Sequence, residues 1–316
     1  MMLATILTHE PAAVAIPAQQ PDDLPAGQVV QRFLHGDPTQ AYFVYVPHKG
    51  GQGARLLVTV HGISRNAEEN AAGFARRAER YGVVLVAPLF PRERFPDYQR
   101  LGRAGRGDRA DKVLDRIVAE VGRLSGARTD KVYLFGYSGG AQFAHRYAFA
   151  YPERVASIVI GAAGWYTFPD PARAYPRGIR ASRALPDLSL DPQEFLKVPA
   201  CVLVGERDIT RDPQLRQNRR LDRQQGRTRV ERGERWVDAM RLAAHAQGLD
   251  TRYQFELLPR SNHSFERSMR RGRMAGRVFR FLFGPPPERI SVPDCLDPLL
   301  PSLVSVPEWS CSHAVS

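Results

Sequence analysis

The stretch Val132-Tyr133-Leu134-Phe135-Gly136-Tyr137-Ser138-Gly139-Gly140 runs a short apolar segment straight into a glycine-flanked serine, and a helical pattern begins directly behind it. A serine on so tight a strand-to-helix turn has a strained backbone, so its flanking positions must be small, and Gly136 and Gly140 meet that need. The turn aims the Ser138 side chain out past the end of a sheet. It also sets that side chain at a helix N-terminus, where free backbone N–H groups stabilise a developing oxyanion.

Working outward, further apolar runs cover 29–34, 42–46, 56–60, 83–87, 157–160, 201–204 and 253–258. The middle ones are β-branched and apolar on consecutive positions, as in parallel strands covered on both faces. Helical patterns fill the gaps at 67–80, 109–124, 140–150, 231–246 and 265–282. In 109–124, for example, Val113, Leu114, Ile117, Val118, Val121 and Leu124 form one stripe. This alternation predicts an α/β fold with one doubly wound, mostly parallel sheet built by right-handed crossovers. The first two runs, joined through Gly36-Asp37-Pro38, predict an antiparallel hairpin at the sheet edge. A single catalytic domain over 29–283 follows, with a flexible proline-bearing leader at 1–28 and an irregular tail at 284–316. Residues 165–198, rich in proline and aromatic residues, read as a small lid or a long connection.

A serine hydroxyl is a weak nucleophile at neutral pH and needs a base within hydrogen-bond reach, itself oriented by a carboxylate. Both are expected downstream, where strands end. The run 201–204 finishes in Gly205-Glu206-Arg207-Asp208, and the run ending at Leu258 is followed by Pro259-Arg260-Ser261-Asn262-His263. The order Ser138, Asp208, His263 is that of α/β-hydrolases. Glu206 is the main rival for the acid, and Asp212 lies four residues beyond Asp208. Arg207 and Arg211 are the neighbours to which either carboxylate would otherwise pair. Among eight histidines, only His263 sits in a loop just past a late core strand. His61 ends the strand Leu57-Val58-Thr59-Val60 and is assigned to holding the loop that follows. In that loop the turn at Gly62 points the N–H of Ile63 at the same place as the N–H of Gly139, making a two-donor oxyanion hole.

At these residues a resemblance emerges. VTVHG (58–62, entered from Leu57), GYSGG (136–140), VGERD (204–208) and the SNHSF loop (261–265), in this order, resemble the α/β-hydrolase fold family of serine esterases, and more closely its polyhydroxybutyrate-depolymerase and feruloyl-esterase-like branch, over roughly residues 28–283. The resemblance implies hydrolysis of a carboxylic ester through an acyl-serine, with Ser138 as nucleophile, His263 as base and then acid, Asp208 orienting it, and Ile63 and Gly139 as oxyanion donors. Secreted depolymerases usually carry an export signal and a polymer-binding module. Neither is evident in the sequence, so a small ester is the expected substrate. Tyr137 beside the nucleophile and Trp165 and Tyr166 after the strand 157–160 are candidate substrate contacts, with Arg65 as a further one. The competing role for Trp165 and Tyr166 is core packing under 165–198. A peptidase or amidase with the same triad, or an idle hydrolase fold that binds an anionic partner, are the alternative functions.

Composition narrows the field. The 316 residues are 43% hydrophobic and 25% charged, which is ordinary for a globular chain. The formal charge is +12, and all but four of the 45 basic residues (Lys49, Lys112, Lys131, Lys197) are arginine. Ten arginines against five acids fall in 207–235, and six against one in 266–280. Without an aromatic-rich RNA motif or a helix-turn-helix pattern, these segments read as solvated helix faces rather than a nucleic-acid surface. No apolar run reaches the roughly 20 residues that cross a bilayer, so a cytoplasmic protein is expected. Three cysteines (Cys201, Cys295, Cys311) are expected as thiols, although Cys295 and Cys311 could pair in an oxidising compartment. No spacing suggests a zinc site, a phosphate loop or a nucleotide fingerprint, so no metal and no cofactor are expected. Oligomeric state is not readable.

Overall fold

A computed structural model describes residues 23–286. Eight strands form one sheet: β1 Val29–Leu34, β2 Asp37–Tyr45, β3 Arg55–Val60, β4 Val83–Pro88, β5 Val132–Tyr137, β6 Val155–Gly161, β7 Ala200–Gly205 and β8 Tyr253–Leu258. Their spatial order is β1-β2-β4-β3-β5-β6-β7-β8. From β4 to β8 every pairing is parallel, and β1 and β2 are added antiparallel at one edge. β4 and β7 are buried at every position, because helices cover both faces, and that is why the apolar runs do not alternate. The edge hairpin turns more tightly than the sequence suggests. Leu34 pairs with Asp37, so only His35 and Gly36 make the turn, and Asp37-Pro38 already belong to β2.

Helices α1 (Ala67–Tyr81), α2 (Ala110–Ser125), α3 (Gly139–Ala150), α4 (Pro192–Phe195), α5 (Arg219–Gln225), α6 (Arg229–Ala246), α7 (Phe265–Arg270) and α8 (Met274–Phe283) connect the strands. The path β3–α1–β4 steps one way across the sheet, and β4–α2–β5 steps back past β3. Right-handed crossovers therefore put α1 and α2 on opposite faces. On the α1 face, Phe74 and Tyr81 meet Phe279 of α8. On the other, Tyr147 and Tyr151 at the end of α3 donate to Asp115 and Asp111 of α2 at 2.6 Å, and His145 of α3 meets Trp236 of α6 edge-on. The strand order reverses at β3. The carboxyl ends of β3 and β5 are thus the crevice where such sheets bind ligands.

Three expectations change, and one is decided between its alternatives. The single helix expected over 265–282 is two, broken at 271–273: a side chain at Gly272 would sit 2.6 Å from the Ser268 carbonyl, and Arg273 takes a positive φ of 51°. Residues 23–28 are not part of a free leader, since Leu24 is buried and Ala26 bridges Val46, just past the end of β2. Residues 165–198 are a packed connection, with Tyr175, Leu185 and Leu188 buried and Phe195 stacked on Phe149 at 3.8 Å between ring centroids. The arginines of 207–235 are not all on a solvated face: Arg229 and Arg232 of α6 are fully buried. The rest of the leader, most of the 284–316 tail, Cys295 and Cys311 lie outside the described residues. Cys201 is buried in β7 as a free thiol. Among the described residues, no helix is long and apolar enough to cross a membrane.

Trp236 anchors α6 to the sheet. It stacks on Tyr166, meets Phe195 and Tyr253, and donates its indole N–H to the Thr167 carbonyl at 2.8 Å. Trp236→Ala is expected to cost about 3–5 kcal/mol, read from the urea midpoint, while Leu242→Ala on the exposed side of the same helix should shift it by less than about 0.5 kcal/mol.

Candidate active site

The β5–α3 turn holds Ser138 at φ 53° and ψ −109°, a strained conformation for a residue with a side chain. Three close approaches enforce it. A Cβ at Gly136 would lie 2.1 Å from the Gly140 carbonyl oxygen, one at Gly140 would lie 2.0 Å from the Val60 carbonyl oxygen of β3, and one at Gly139 would lie 2.4 Å from the Tyr98 hydroxyl. The Ser138 N–H is tied to the Gly161 carbonyl at the end of β6 at 2.7 Å. Strain in the serine is thus held by backbone contacts on both sides.

The loop after β8 brings His263 to the serine, with Nε2 3.0 Å from Ser138 Oγ. On the other side of the ring, Nδ1 is 2.7 Å from Asp208 Oδ2, just beyond β7. Of the carboxylates weighed for this position, Asp208 is the one that meets His263. Glu206 turns away to accept the Arg260 N–H and to pair with Arg207. Tyr137 stacks on the His263 ring at 5.6 Å and reaches the Ser268 hydroxyl at 3.3 Å, so it braces the imidazole from β5. Phe265 closes the other edge of Tyr137.

Arg229, at the first turn of α6, was not singled out from the sequence for this role. Its guanidinium donates to Asp208 Oδ1 at 3.0 Å and to Asp212 Oδ1 at 3.2 Å, and both Arg229 and Asp208 are about 98–99% buried. A buried carboxylate without such a partner would lose its charge or its position. Hydrogen bonds from Arg229 hold Asp212 down at about 2. The only sequence signal was an arginine at a helix start, where its own element gives it no partner.

Near the end of β3, a Cβ on Gly62 would sit 3.6 Å from Ser138 Cβ, and Ile63 Cγ2 comes within 3.1 Å of the Cβ position of Gly139. The residues expected to supply the two oxyanion donors therefore lie next to each other at the serine. Ile63, Tyr137, Ser138, His263 and Phe265 border a cleft of about 430 Å³. His61 is fully buried behind this loop. Its Nε2 accepts the Phe90 N–H at 3.0 Å, its Nδ1 faces the Gly62 carbonyl at 2.8 Å, and the Tyr98 hydroxyl donates to its carbonyl. Arg65 is turned inward to the Phe90 and Phe95 carbonyls and the Tyr98 ring, and so does not border the cleft. The other aromatic candidates are corrected similarly. Tyr166 is buried in the core against Trp236, pinned by Gln225 through both its N–H and its carbonyl at 2.8 Å, and Trp165 is wedged among arginines. Neither borders the Ser138 cleft. Among the described residues, no group of histidine, cysteine and acidic side chains could hold a metal ion.

The family model of the esterase PHB depolymerases matches residues 40–213, more than half of the chain. The chain belongs to this esterase family. Within its range fall most of β2, all of β3 to β7, the serine turn and Asp208; His263 lies beyond it. Acetylxylan esterase A of Talaromyces purpureogenus is 25% identical over 162 residues, covering 48% of this chain and 42% of the relative. Feruloyl esterase B of Talaromyces funiculosus is 28% identical over 115 residues, covering 35% and 33%. The match thus spans less than half the length of these relatives. Among solved structures, a poly(3-hydroxybutyrate) depolymerase, LpqC, from Bordetella parapertussis is similar with a TM-score of 0.66 and 24% identity, over 83% of this chain and 92% of that one. Poly(aspartic acid) hydrolase-1 from Sphingomonas sp. KT-1 gives the same TM-score at 22% identity, over 82% and 98%. At these identities the structures establish the α/β-hydrolase fold of this esterase-family chain.

The environment of His61 generates a pH prediction. Burial pushes its imidazole down to about 4 from an ordinary 6.5, so between those values the folded protein keeps it neutral while the unfolded chain binds a proton. The unfolded state then holds more protons, and stability is full above pH 6.5 and lost as pH falls toward 4. Unfolding free energy from urea titrations should drop by about 2 kcal/mol between pH 6.5 and 5 from this group, and His61→Gln should flatten the slope by that amount. An unchanged slope in the variant would contradict the assignment.

Proposed function

We propose that this esterase-family protein hydrolyses carboxylic esters through an acyl-serine intermediate. The carrying observation is the continuous chain from Ser138 Oγ through His263 to the buried Asp208, with steps of 3.0 and 2.7 Å. In the proposed reaction Ser138 Oγ attacks the ester carbonyl while His263 Nε2 takes its proton. Asp208 keeps the Nδ1–H tautomer in place and stabilises the imidazolium, without itself taking a proton. The N–H groups of Ile63 and Gly139 receive the oxyanion. Collapse of the tetrahedral intermediate expels the alkoxide, which leaves protonated by His263, and a water activated by the same imidazole then frees the acid and restores Ser138.

Two features support this reading over an idle fold. Strain at Ser138 is maintained by three backbone or hydroxyl approaches that a mere turn would not need. The acid is also held in place by a buried arginine, which ties Asp212 to the same point. Ester rather than amide cleavage is supported by the family description and by the names of the relatives, acetylxylan and feruloyl esterases. A cleft of about 430 Å³ suits a small ester.

A fluorophosphonate probe is expected to label the wild type and leave Ser138→Ala unlabelled, and equal labelling of both would remove the proposed nucleophile. For the acid, Asp208→Asn should lower kcat on a chromogenic ester by about 10⁴-fold, whereas Glu206→Gln should change it by less than about twofold, since that carboxylate is committed to the Arg260 N–H. The reverse ranking would transfer the role to Glu206.

A further inference from the structure

Deeper along α3 from the serine, three guanidinium groups gather on one indole. The carbons at the centres of the Arg146, Arg100 and Arg216 guanidinium groups lie 4.3, 5.5 and 5.5 Å from the Trp165 ring centroid. They arrive from three separate segments: α3, the single turn of 3₁₀ helix Tyr98–Arg100, and the loop before α5. Packing like charges together costs free energy unless something of opposite sign joins them. Little does. Arg146 is fully buried, bonds only neutral groups (the Thr167 hydroxyl, the Gln99 carbonyl and the Gln142 amide oxygen), and leaves Nη2 without a partner. Arg100 has Asp97 at 4.0 Å, an acid that also serves Arg106 at 3.7 Å, and its Nε has no hydrogen-bond partner. Arg216 is exposed, and among the described residues no carboxylate pairs with it or with Arg146. Burial first, then the fields of Arg100 and Arg216, push the Arg146 guanidinium down to about 9.

This contrasts with the two buried arginines of α6: Arg229 is compensated by Asp208 and Asp212, and Arg232 by Asp222 and three carbonyls. The cluster is also linked to the serine. The Gln142 N–H donates to the Ser138 carbonyl, and the Gln142 amide meets Arg146, so Ser138, Gln142 and Arg146 succeed one another by single turns of the same helix. Eight residues of helix span roughly 12 Å, and long side chains on a helix lean back toward its N-terminus. The guanidinium of Arg146 therefore sits nearer Ser138 than its own backbone does. Arg100, with a quarter of its side chain exposed, and Arg216 offer the accessible donors, while Arg146 supplies fixed charge from behind.

We propose that Arg100, Arg146 and Arg216 on Trp165 form an anion subsite, and that the preferred substrate is an ester carrying a second, free carboxylate several bonds from the scissile carbonyl. This rests on the esterase reading for its place in catalysis, but not for binding. Guanidinium forks match a carboxylate in geometry as well as charge, and the indole face keeps them stacked and partly dehydrated, which strengthens that contact.

The test has two arms. Adipate, a dicarboxylate with nothing to cleave, is titrated calorimetrically into the wild type, with inorganic phosphate in parallel. Adipate is expected to bind, with affinity falling as salt rises and weakened about tenfold or more by Arg216→Ala, which alters an exposed side chain and spares the core. Arg146→Met is the stronger but riskier variant. The second arm compares kcat/KM for two matched pairs, mono-p-nitrophenyl adipate with p-nitrophenyl hexanoate, and 6-acetoxyhexanoate with hexyl acetate. At least one pair should favour its charged member, and that ratio should fall about tenfold in Arg216→Ala. Absence of adipate binding, together with ratios that Arg216→Ala leaves unchanged, overturns the subsite, and phosphate binding tighter than adipate overturns the carboxylate assignment. Failure of the esterase reading would show separately, as loss of all ester turnover and of fluorophosphonate labelling, while the adipate titration would still decide the subsite.

Discussion

The tightest constraint in the molecule is the approach of the β5–α3 turn to the end of β3. With hydrogen in place of a side chain at Gly140, the turn sits directly on the Val60 carbonyl, and with the same at Gly136 the strand folds back onto the start of its own helix. Any larger residue would push the turn away from β3 and relax Ser138. Because the loop 61–63 grows from that same end of β3, the one contact sets the distance between the serine and the Ile63 backbone as well. Ser138 and the proposed oxyanion loop are parts of a single packed junction, stiffened from below by buried His61 and by Tyr98.

The other half of the site is assembled by charge. His263 and Asp208 come from loops after β8 and β7, two strands that are adjacent in the sheet although 55 residues separate the two side chains in the chain. Nothing about loop stiffness would hold an aspartate at 2.7 Å from a ring nitrogen. Arg229 does so by fixing the second oxygen of Asp208 and tying the 212 turn to the same point. Since Asp208 and Arg229 are withdrawn from water, removing either leaves the other's buried charge poorly compensated rather than merely a weaker contact. The arrangement is therefore close to all-or-none, and geometry at the imidazole depends on a helix start some distance from it.

Arginine has three distinct uses in this chain, which a net charge of +12 conceals. On exposed helix faces it is solvated or loosely paired, as in Arg270 with Glu266. Within the core, Arg229 and Arg232 knit loops together through carboxylates and carbonyls. Around Trp165 it accumulates with little compensation, Asp97 near Arg100 being the one acid paired with the cluster among the described residues. Composition cannot separate these cases, because the distinction is whether an acid from another segment stands within reach.

Much of the architecture was legible in the chain. Every strand contained an apolar run, and the inner strands, covered on both faces, showed it most plainly because burial on both sides favours apolar side chains throughout. Ser138 was identifiable because its strain demands small neighbours at fixed positions, and His263 because a loop histidine after a late strand has little else to do. What remained undecided were matters of long-range proximity. Asp208 and Glu206 are two residues apart and chemically alike, and only the direction of each side chain from the β7 loop separates them. Trp165 and Tyr166 follow a strand end just as pocket residues do, yet packing against α6 and the arginines draws them inward. The break at Gly272 depends on Ser261 and Leu258 pressing against it. Sequence alone determined the sheet, the serine turn and its order of partners, because those follow from local sterics and burial. Tertiary structure decided which carboxylate, which arginines and which aromatics share the site, because electrostatic partnership falls steeply with distance and no local pattern records distances between segments far apart in the chain.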